Sequence, residues 1–341
     1  MSYGDKLSFQ DGRFEIDVIQ AGHFPGAIMT LFRMGDYSVI YTGDFNLLEF
    51  EPIASCRSAI GGLRLKPDVV ICDGSAADLV FPKESLTRAR LYSEIMHTWR
   101  KKKTVLFLSE SNMGSIVTYF AIHENVLRRS EGRIPFYFDE TAWDQMCILR
   151  ERKDDLALSV REKIAQHRDP FHSVMIRALE SEKPHLGGIG IEEASKTPCV
   201  ICIDAVLHGI ISEEKFNAIK RILSDPDNLV IVAGAPRSSP AQDLVACRGH
   251  IELKSEATDR YERLETRCRV LNWDVPSHHL FNYHPDGDQL FEFFDNLMPE
   301  RIVFFHRGPN NLIDIRQELA KRPYVKDHTV IHRHHPFIRL R

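Results

Sequence analysis

Residues 19–32 read IQAGHFPGAIMTLF, and residues 38–46 read SVIYTGDFN. Two apolar runs are joined by a Gly/Pro-rich turn that carries His23, and the next apolar run ends on Gly43-Asp44. A core strand gains nothing from an imidazole or a carboxylate at such places. A metal site uses both, because imidazole nitrogen and carboxylate oxygen are zinc ligands. Around this stretch lie further short runs rich in β-branched and aromatic residues, RFEIDVIQ (13–20), AIMTLFRM (27–34) and YSVIYTG (37–43), which read as strands separated by Gly and Asp. KPDVVICDG (66–74) adds a buried strand that ends on Asp73.

From about Ser85 the rhythm changes. TVLFLS (104–109) precedes a long helical pattern through residues 112–129, IPFYFD (134–139) precedes another through 141–166, and PCVICID (198–204) precedes SEEKFNAIKRIL (212–223), with NLVIVAG (228–234) following. Short apolar strands alternating with amphipathic helices indicate βαβ units and a parallel sheet. No G-x-G-x-x-G follows any of these strands, so a dinucleotide site has little support. After Arg267 come CRVLNWDV (268–275), the histidine-rich PSHHLFNYHPDGDQLFEFFDNL (276–297), and the strand RIVFFH (301–306) with a helix beyond it.

The bulk numbers agree with a two-domain globular chain. There are 341 residues, 43% hydrophobic and 27% charged, ordinary values for a soluble fold. A formal net charge of -4 excludes an overall basic footprint for nucleic acid. WRKKK (99–103) and FIRLR (337–341) are basic but read as solvated surface before phosphate contacts. Seven scattered cysteines form no disulfide framework and point to a reducing, cytoplasmic setting. Cys199 and Cys202 make a C-x-x-C, but on a strand positions three apart face opposite sides, so buried thiols are expected. The first twelve residues, MSYGDKLSFQDG, lack a signal-peptide core, and no run nears the ~20 apolar residues of a membrane span.

Chemistry can therefore sit at four places: His23 after a strand, Asp44 after the next, His284 at a loop–helix junction, and His306 at a strand end. Rigid strands aim such residues at a shared crevice. Singly, each has a plain alternative, Asp44 as a turn cap and His306 as an interior histidine. As a set they suit a two-metal hydrolytic centre.

AGHFPGA followed by YTGDF resembles the third and fourth metal motifs of the β-CASP nucleases of the metallo-β-lactamase fold. VVICDGS is similar to that group's acidic strand end and matches Asp73. FNYHPDGDQLFEFF resembles its FSxHADxxQLxxFI segment and places the histidine at His284, and RIVFFHRGP resembles its last motif and places His306. The resemblance covers nearly the whole chain. It implies an α/β architecture: a metallo-β-lactamase αββα sandwich, N-terminally incomplete, of residues 1–84 and 267–341, with a Rossmann-like β-CASP insertion of residues 85–266. It further implies that His23 holds one zinc, Asp44 bridges two, and His306 holds the second. Asp73 and His284 would orient groups or contact the scissile phosphate as catalytic residues.

The implied activity is zinc-dependent phosphodiester hydrolysis of RNA, in RNA processing or decay. A histidine at the last position, where the DNA-repair branch has a small apolar residue, favours RNA over DNA. The group's HxHxDH motif is expected upstream of His23, where this sequence has no histidine. The Zn2+ centre is thus expected to be incomplete, with a complementary N-terminal polypeptide or a homo-oligomer as partner and the isolated chain inactive. IHRHHP (331–336) offers His332, His334 and His335 as substitutes, but reads as a solvated edge. The group's arginine turn, its SPMA-like run and its glycine-rich loop appear here as SESNMGSIVTYF (109–120), DETAW (139–143) and GAPRSSPAQDL (234–244). These departures leave a non-catalytic scaffold or RNA-binding subunit as the alternative, and a Rossmann-like ligand-binding protein as a more distant one.

Overall fold

The computed structural model describes residues 2–10, 12–63, 66–79, 84–109, 112–180, 188–205, 207, 210–233, 239–273 and 284–330. His332, His334 and His335 lie outside them. The chain divides into two compact units, the first comprising Met1–Phe81, Asp155–Leu158 and Asn282–Arg341, the second Pro82–Asp154 and Ser159–Phe281.

The first unit starts with β1 (Lys6–Phe9), β2 (Phe14–Gln20), β3 (Ile28–Met34), β4 (Tyr37–Tyr41), α1 (Arg57–Gly61) and β5 (Val69–Asp73). The second contains α2 (Glu84–Arg100), β6 (Val105–Ser109), α3 (Asn112–Ser130), β7 (Phe136–Phe138), α4 (Glu140–Glu151), α5 (Leu158–Ala165), β8 (Ile176–Glu180) and β9 (Ile189–Gly190). It continues with α6 (Ile191–Ala194), β10 (Val200–Asp204), β11 (Ile210–Ile211), α7 (Glu213–Ser224), β12 (Leu229–Ala233), α8 (Ser239–Val245), β13 (His250–Ser255), β14 (Arg260–Glu265) and β15 (Arg269–Asn272). The chain then returns with α9 (Gly287–Leu297), β16 (Arg301–Phe305), α10 (Ile313–Leu319) and β17 (Asp327–Val330).

In the first unit the strands form one seven-stranded sheet of order β1-β2-β3-β4-β5-β16-β17. β1 to β4 meander antiparallel, while β4, β5, β16 and β17 run parallel. Alternation sends Ile19, Met29, Leu31, Ile40, Val70 and Ile302 to one face, as period-two patterning requires. That face is covered by α9, whose Leu290, Phe293, Phe294 and Leu297 form a buried stripe at helical spacing. The Asp286 carboxylate caps α9 by accepting from the Gln289 N–H at 3.0 Å.

The second unit carries the alternating pattern into a parallel sheet of order β15-β12-β6-β10-β7-β8-β9. Its centre is apolar on both faces, as parallel sheets are, with β6, β10 and β12 almost wholly buried. β15 follows the expected return at residue 267, yet it pairs in parallel with β12, Arg269 opposite Leu229. Cys199 and Cys202 are buried and free. Burial pushes the Cys199 thiol up to about 12, which disfavours the thiolate that redox and zinc chemistry use. The WRKKK cluster closes α2, and two of its lysines are paired, Lys101 with Asp227 at 2.9 Å and Lys103 with Asp225 at 2.5 Å. Among the described residues no helix is long and apolar enough to cross a membrane.

Candidate metal centre

The first unit's strands β4, β5 and β16 are parallel neighbours, so their C-terminal ends lie side by side. Phe305 stands opposite Asp73 in the ladder and Tyr41 opposite Ile71, which brings Asp44 and His306 to either side of Asp73. The loops are tied to one another: the Thr42 N–H donates to Ile71 O at 3.0 Å, and the Gly74 N–H to Phe305 O at 3.0 Å. The turn bearing His23 closes on itself through Ala21 N–H to Ala27 O at 3.0 Å. It is fastened to the loop after Asp44 by Asn46 N–H to Ala21 O at 2.9 Å. His284 precedes the α9 cap, and a bridge between Ala76 and Asp286 lays its segment along the loop after β5.

All five sequence-predicted residues therefore converge within one unit. His23 Nε2 is 3.8 Å from Asp44 Oδ2, and His306 Nδ1 is 3.2 Å from Asp44 Oδ1 and 3.4 Å from Asp73 Oδ1. His284 Nδ1 is 2.6 Å from Asp73 Oδ2. Because a carboxylate oxygen accepts, this nitrogen carries the proton. The His23 and His284 rings lie 4.9 Å apart, tilted.

Asp73 is fully buried. Its Oδ1 also accepts from the Ser75 hydroxyl at 2.7 Å and the Ser75 N–H at 3.1 Å. Burial alone would raise the carboxyl's pKa. The His284 hydrogen bond and charge, with the two Ser75 bonds, outweigh it and hold the group below its ordinary value. Asp73 is thus an ionised, hydrogen-bonded carboxylate.

Among the described residues two overlapping donor sets could hold a metal ion, His23 with Asp44 and His284, and Asp44 with Asp73 and His306; within each the ligand atoms lie within 4.8 Å of one another. Imidazole with carboxylate is a zinc-type donor chemistry, so the residues present fit the ion that the resemblance implies. Sequence reasoning missed three supporting residues. Ser75 had a local signal, a serine two positions after an aspartate, as in an Asx turn. Asp78 and Arg307 had none: Arg307 Nη2 donates to Asp78 Oδ2 at 2.7 Å, and the Asn311 amide donates to the same oxygen at 3.2 Å. This clamp joins the loops after β5 and β16 across most of the chain's length.

No family model matches the chain. It is 21% identical over 321 residues to "Cleavage and polyadenylation specificity factor subunit 3-II" of Arabidopsis thaliana, covering 91% of this chain and 46% of that protein. It is 19% identical to "Integrator complex subunit 11 homolog" of Dictyostelium discoideum, over 91% of this chain and 40% of the relative. To "Endoribonuclease YSH1" of Mycosarcoma maydis it is 22% identical, over 89% and 32% respectively. The chain spans less than half the length of these curated relatives. Among solved structures, a protein of unknown function from Enterococcus faecalis V583 superposes with a TM-score of 0.55 at 11% identity, over 96% of this chain and 64% of that one, a likeness of fold alone. Motif order, the converging His and Asp side chains and these relatives lead to one assignment: the chain is a homologue of the β-CASP nucleases of the metallo-β-lactamase fold.

Proposed function

We propose that this chain is a zinc-dependent phosphodiester hydrolase that acts on RNA. The observation that carries the reading is the meeting of His23, Asp44, Asp73, His284 and His306 around one point, from loops separated by up to 283 positions in sequence. Zinc bound there supplies a Lewis acid for the phosphoryl oxygens and acidifies water at neutral pH. Asp44, common to both donor sets, would hold the ion together with His23 and His306. Asp73, shielded from water, fixes the His284 ring. His284, held through Nδ1 by Asp73 at 2.6 Å, is the imidazole that would hold a proton for a leaving oxygen. RNA as substrate is supported by the relative named an endoribonuclease.

Incubating the purified chain with zinc and a labelled single-stranded RNA tests the reading. Chelator-sensitive cleavage that is lost in Asp44→Ala is expected when a partner polypeptide supplies the remaining metal donors, the isolated chain being inactive. RNA bound without turnover in every metal condition, with that partner present, would replace the hydrolase by a non-catalytic RNA-binding scaffold.

A further inference from the structure

In the second unit the end of α3 and the segment from His167 to Val174 enclose a cavity of about 580 Å³. We propose that this cavity binds a nucleotide, with the base against Leu127 and Val174 and the phosphate at Arg128 and Arg168. None of its lining residues belongs to the candidate metal centre, which lies in the first unit.

The walls follow from helical spacing and from a pinned loop. His123 and Leu127, like Glu124 and Arg128, stand four positions apart, so each pair shares a face of α3. The facing segment is held off the cavity because it is fastened to α3. The buried Tyr119 hydroxyl donates to Pro170 O at 2.9 Å, and the Phe171 and Phe120 rings pack with centroids 5.0 Å apart. The Arg168 N–H donates to Lys163 O at 2.9 Å. A Cβ on Gly132 would lie 3.0 Å from Val174 Cγ2 and 3.4 Å from Leu127 Cδ1, so these two side chains converge on one apolar wall. Val174 is 65% exposed, an aliphatic surface that a flat ring can cover.

Charge at the mouth selects an anion. Glu124 is shared by two cations, Lys163 Nζ at 3.4 Å and Arg168 Nη1 at 3.7 Å. Asp169 serves its own turn, accepting from the Phe171 N–H at 2.9 Å. Arg128 donates to the neutral Asn125 Oδ1 at 3.3 Å and makes no ion pair among the described residues. Guanidinium charge therefore exceeds what the carboxylates there offset, and guanidinium forks match phosphate bidentately. The volume falls within the range of about 300–1,000 Å³ typical of small-ligand sites. The buried His123 imidazole, the Asn125 amide and the Ser173 hydroxyl line the same space, and together they offer donors and acceptors for a base edge. An aliphatic anion would leave those groups unmatched. The choice of a nucleotide among ring-bearing anions rests on the RNA reading above; the anion and the ring rest on the lining.

The test uses the chain in EDTA, which silences the metal centre. AMP, UMP and inorganic phosphate are titrated by calorimetry, and a short labelled single-stranded RNA by fluorescence anisotropy. A nucleotide, free or within the strand, should bind, and Arg128→Ala and Arg168→Ala should each weaken it about 10–100-fold. Val174→Asp, at an exposed position, should abolish binding while leaving both arginines in place. In wild-type protein with labelled Leu and Val methyls, the Leu127 and Val174 signals should shift on saturation, a readout free of any substitution. Binding of AMP or UMP assigns the cavity to a free nucleotide, and binding of the RNA alone assigns it to a nucleotide within a strand. Neither bound, phosphate bound as tightly as AMP, or affinities unchanged in these variants overturns the inference. Nucleotide binding by a chain that cleaves no RNA even with its partner present leaves it standing and removes the hydrolase reading instead.

Discussion

Gly22, the residue before His23, has a φ of +74°, and a Cβ built on it would lie 2.6 Å from Asn46 O, 2.7 Å from Cys56 N and 3.0 Å from Ala54 O. All three are backbone atoms, and two belong to the hydrogen-bonded lattice that fastens the His23 turn, since the Cys56 N–H donates to Asn46 O at 3.1 Å. Gly22→Ala therefore meets two separate costs. Holding alanine in the left-handed region costs about 1–2 kcal/mol, and forcing a methyl into packed backbone costs about 1–3 kcal/mol more. Gly35 isolates the first cost: its φ is +61°, but nothing lies within 4 Å of its Cβ position. Gly35→Ala should lose about 1–2 kcal/mol and Gly22→Ala about 2–5 kcal/mol. Urea unfolding of the chain, followed by circular dichroism at matched m-values, measures the difference. Equal midpoints for the two variants would refute the argument that backbone contact, and not φ alone, requires glycine before His23.

Two further outcomes follow from charged pairs. Burial alone would raise the Asp78 carboxyl, but the hydrogen bonds from Arg307 and Asn311 and the Arg307 charge hold it below its ordinary value. Its contribution to stability is therefore complete above the unfolded carboxylate value of about 3.9 and is lost as pH falls through the lower folded value. Asp78→Asn should differ from wild type by a constant amount between about pH 7 and 5, and the gap should shrink below about pH 4; a gap that widens on acidification contradicts the clamp. Lys101 and Lys103 already have partners in Asp227 and Asp225. The Lys101→Ala/Lys103→Ala double variant should leave the salt dependence of RNA affinity unchanged, whereas two lost phosphate contacts would reduce the slope by about 2.

The parts of the molecule legible in sequence are those whose signal is local. Strands β2, β3, β4 and β5 announce themselves by apolar alternation, and His23, Asp44 and Asp73 by their places at strand ends. The C-x-x-C of Cys199 and Cys202 was readable as strand, because period two separates the two thiols. What could not be read is pairing between distant segments. CRVLN looks like any buried strand, and only its ladder with β12 shows which sheet it joins. Arg307 likewise looks like a surface arginine until Asp78, 229 positions away, is brought beside it. Saturation of the Asp73 carboxylate was equally hidden. Its chemistry depends on how many donors reach it, and one of the two residues that donate to it, His284, comes from the far end of the chain.

The backbone at the site shows where the fold accepts a cost. The turns that deliver His23 and Asp44 each use a left-handed glycine immediately before the candidate ligand, Gly22 at φ +74° and Gly43 at φ +54°, where glycine adopts that conformation without a Cβ penalty. The turn after β16 has no such glycine: His306 itself is left-handed, at φ +65°. That conformation costs a histidine about 1–2 kcal/mol, which glycine at the same position would avoid. The reversal serves both neighbours. It carries the imidazole to 3.2 Å from Asp44 and 3.4 Å from Asp73, and it sends Arg307 to the Asp78 carboxylate, whose Oδ1 ion pair spans 2.6 Å. The Arg307 clamp anchors the residue that follows the strain, and the Gly74 N–H anchors the Phe305 carbonyl that precedes it. Conformations of this kind persist only where the surroundings over-determine them, and they gather at functional sites. An interior histidine satisfied by packing would not need its backbone held this way, whereas an imidazole aimed at two carboxylates does.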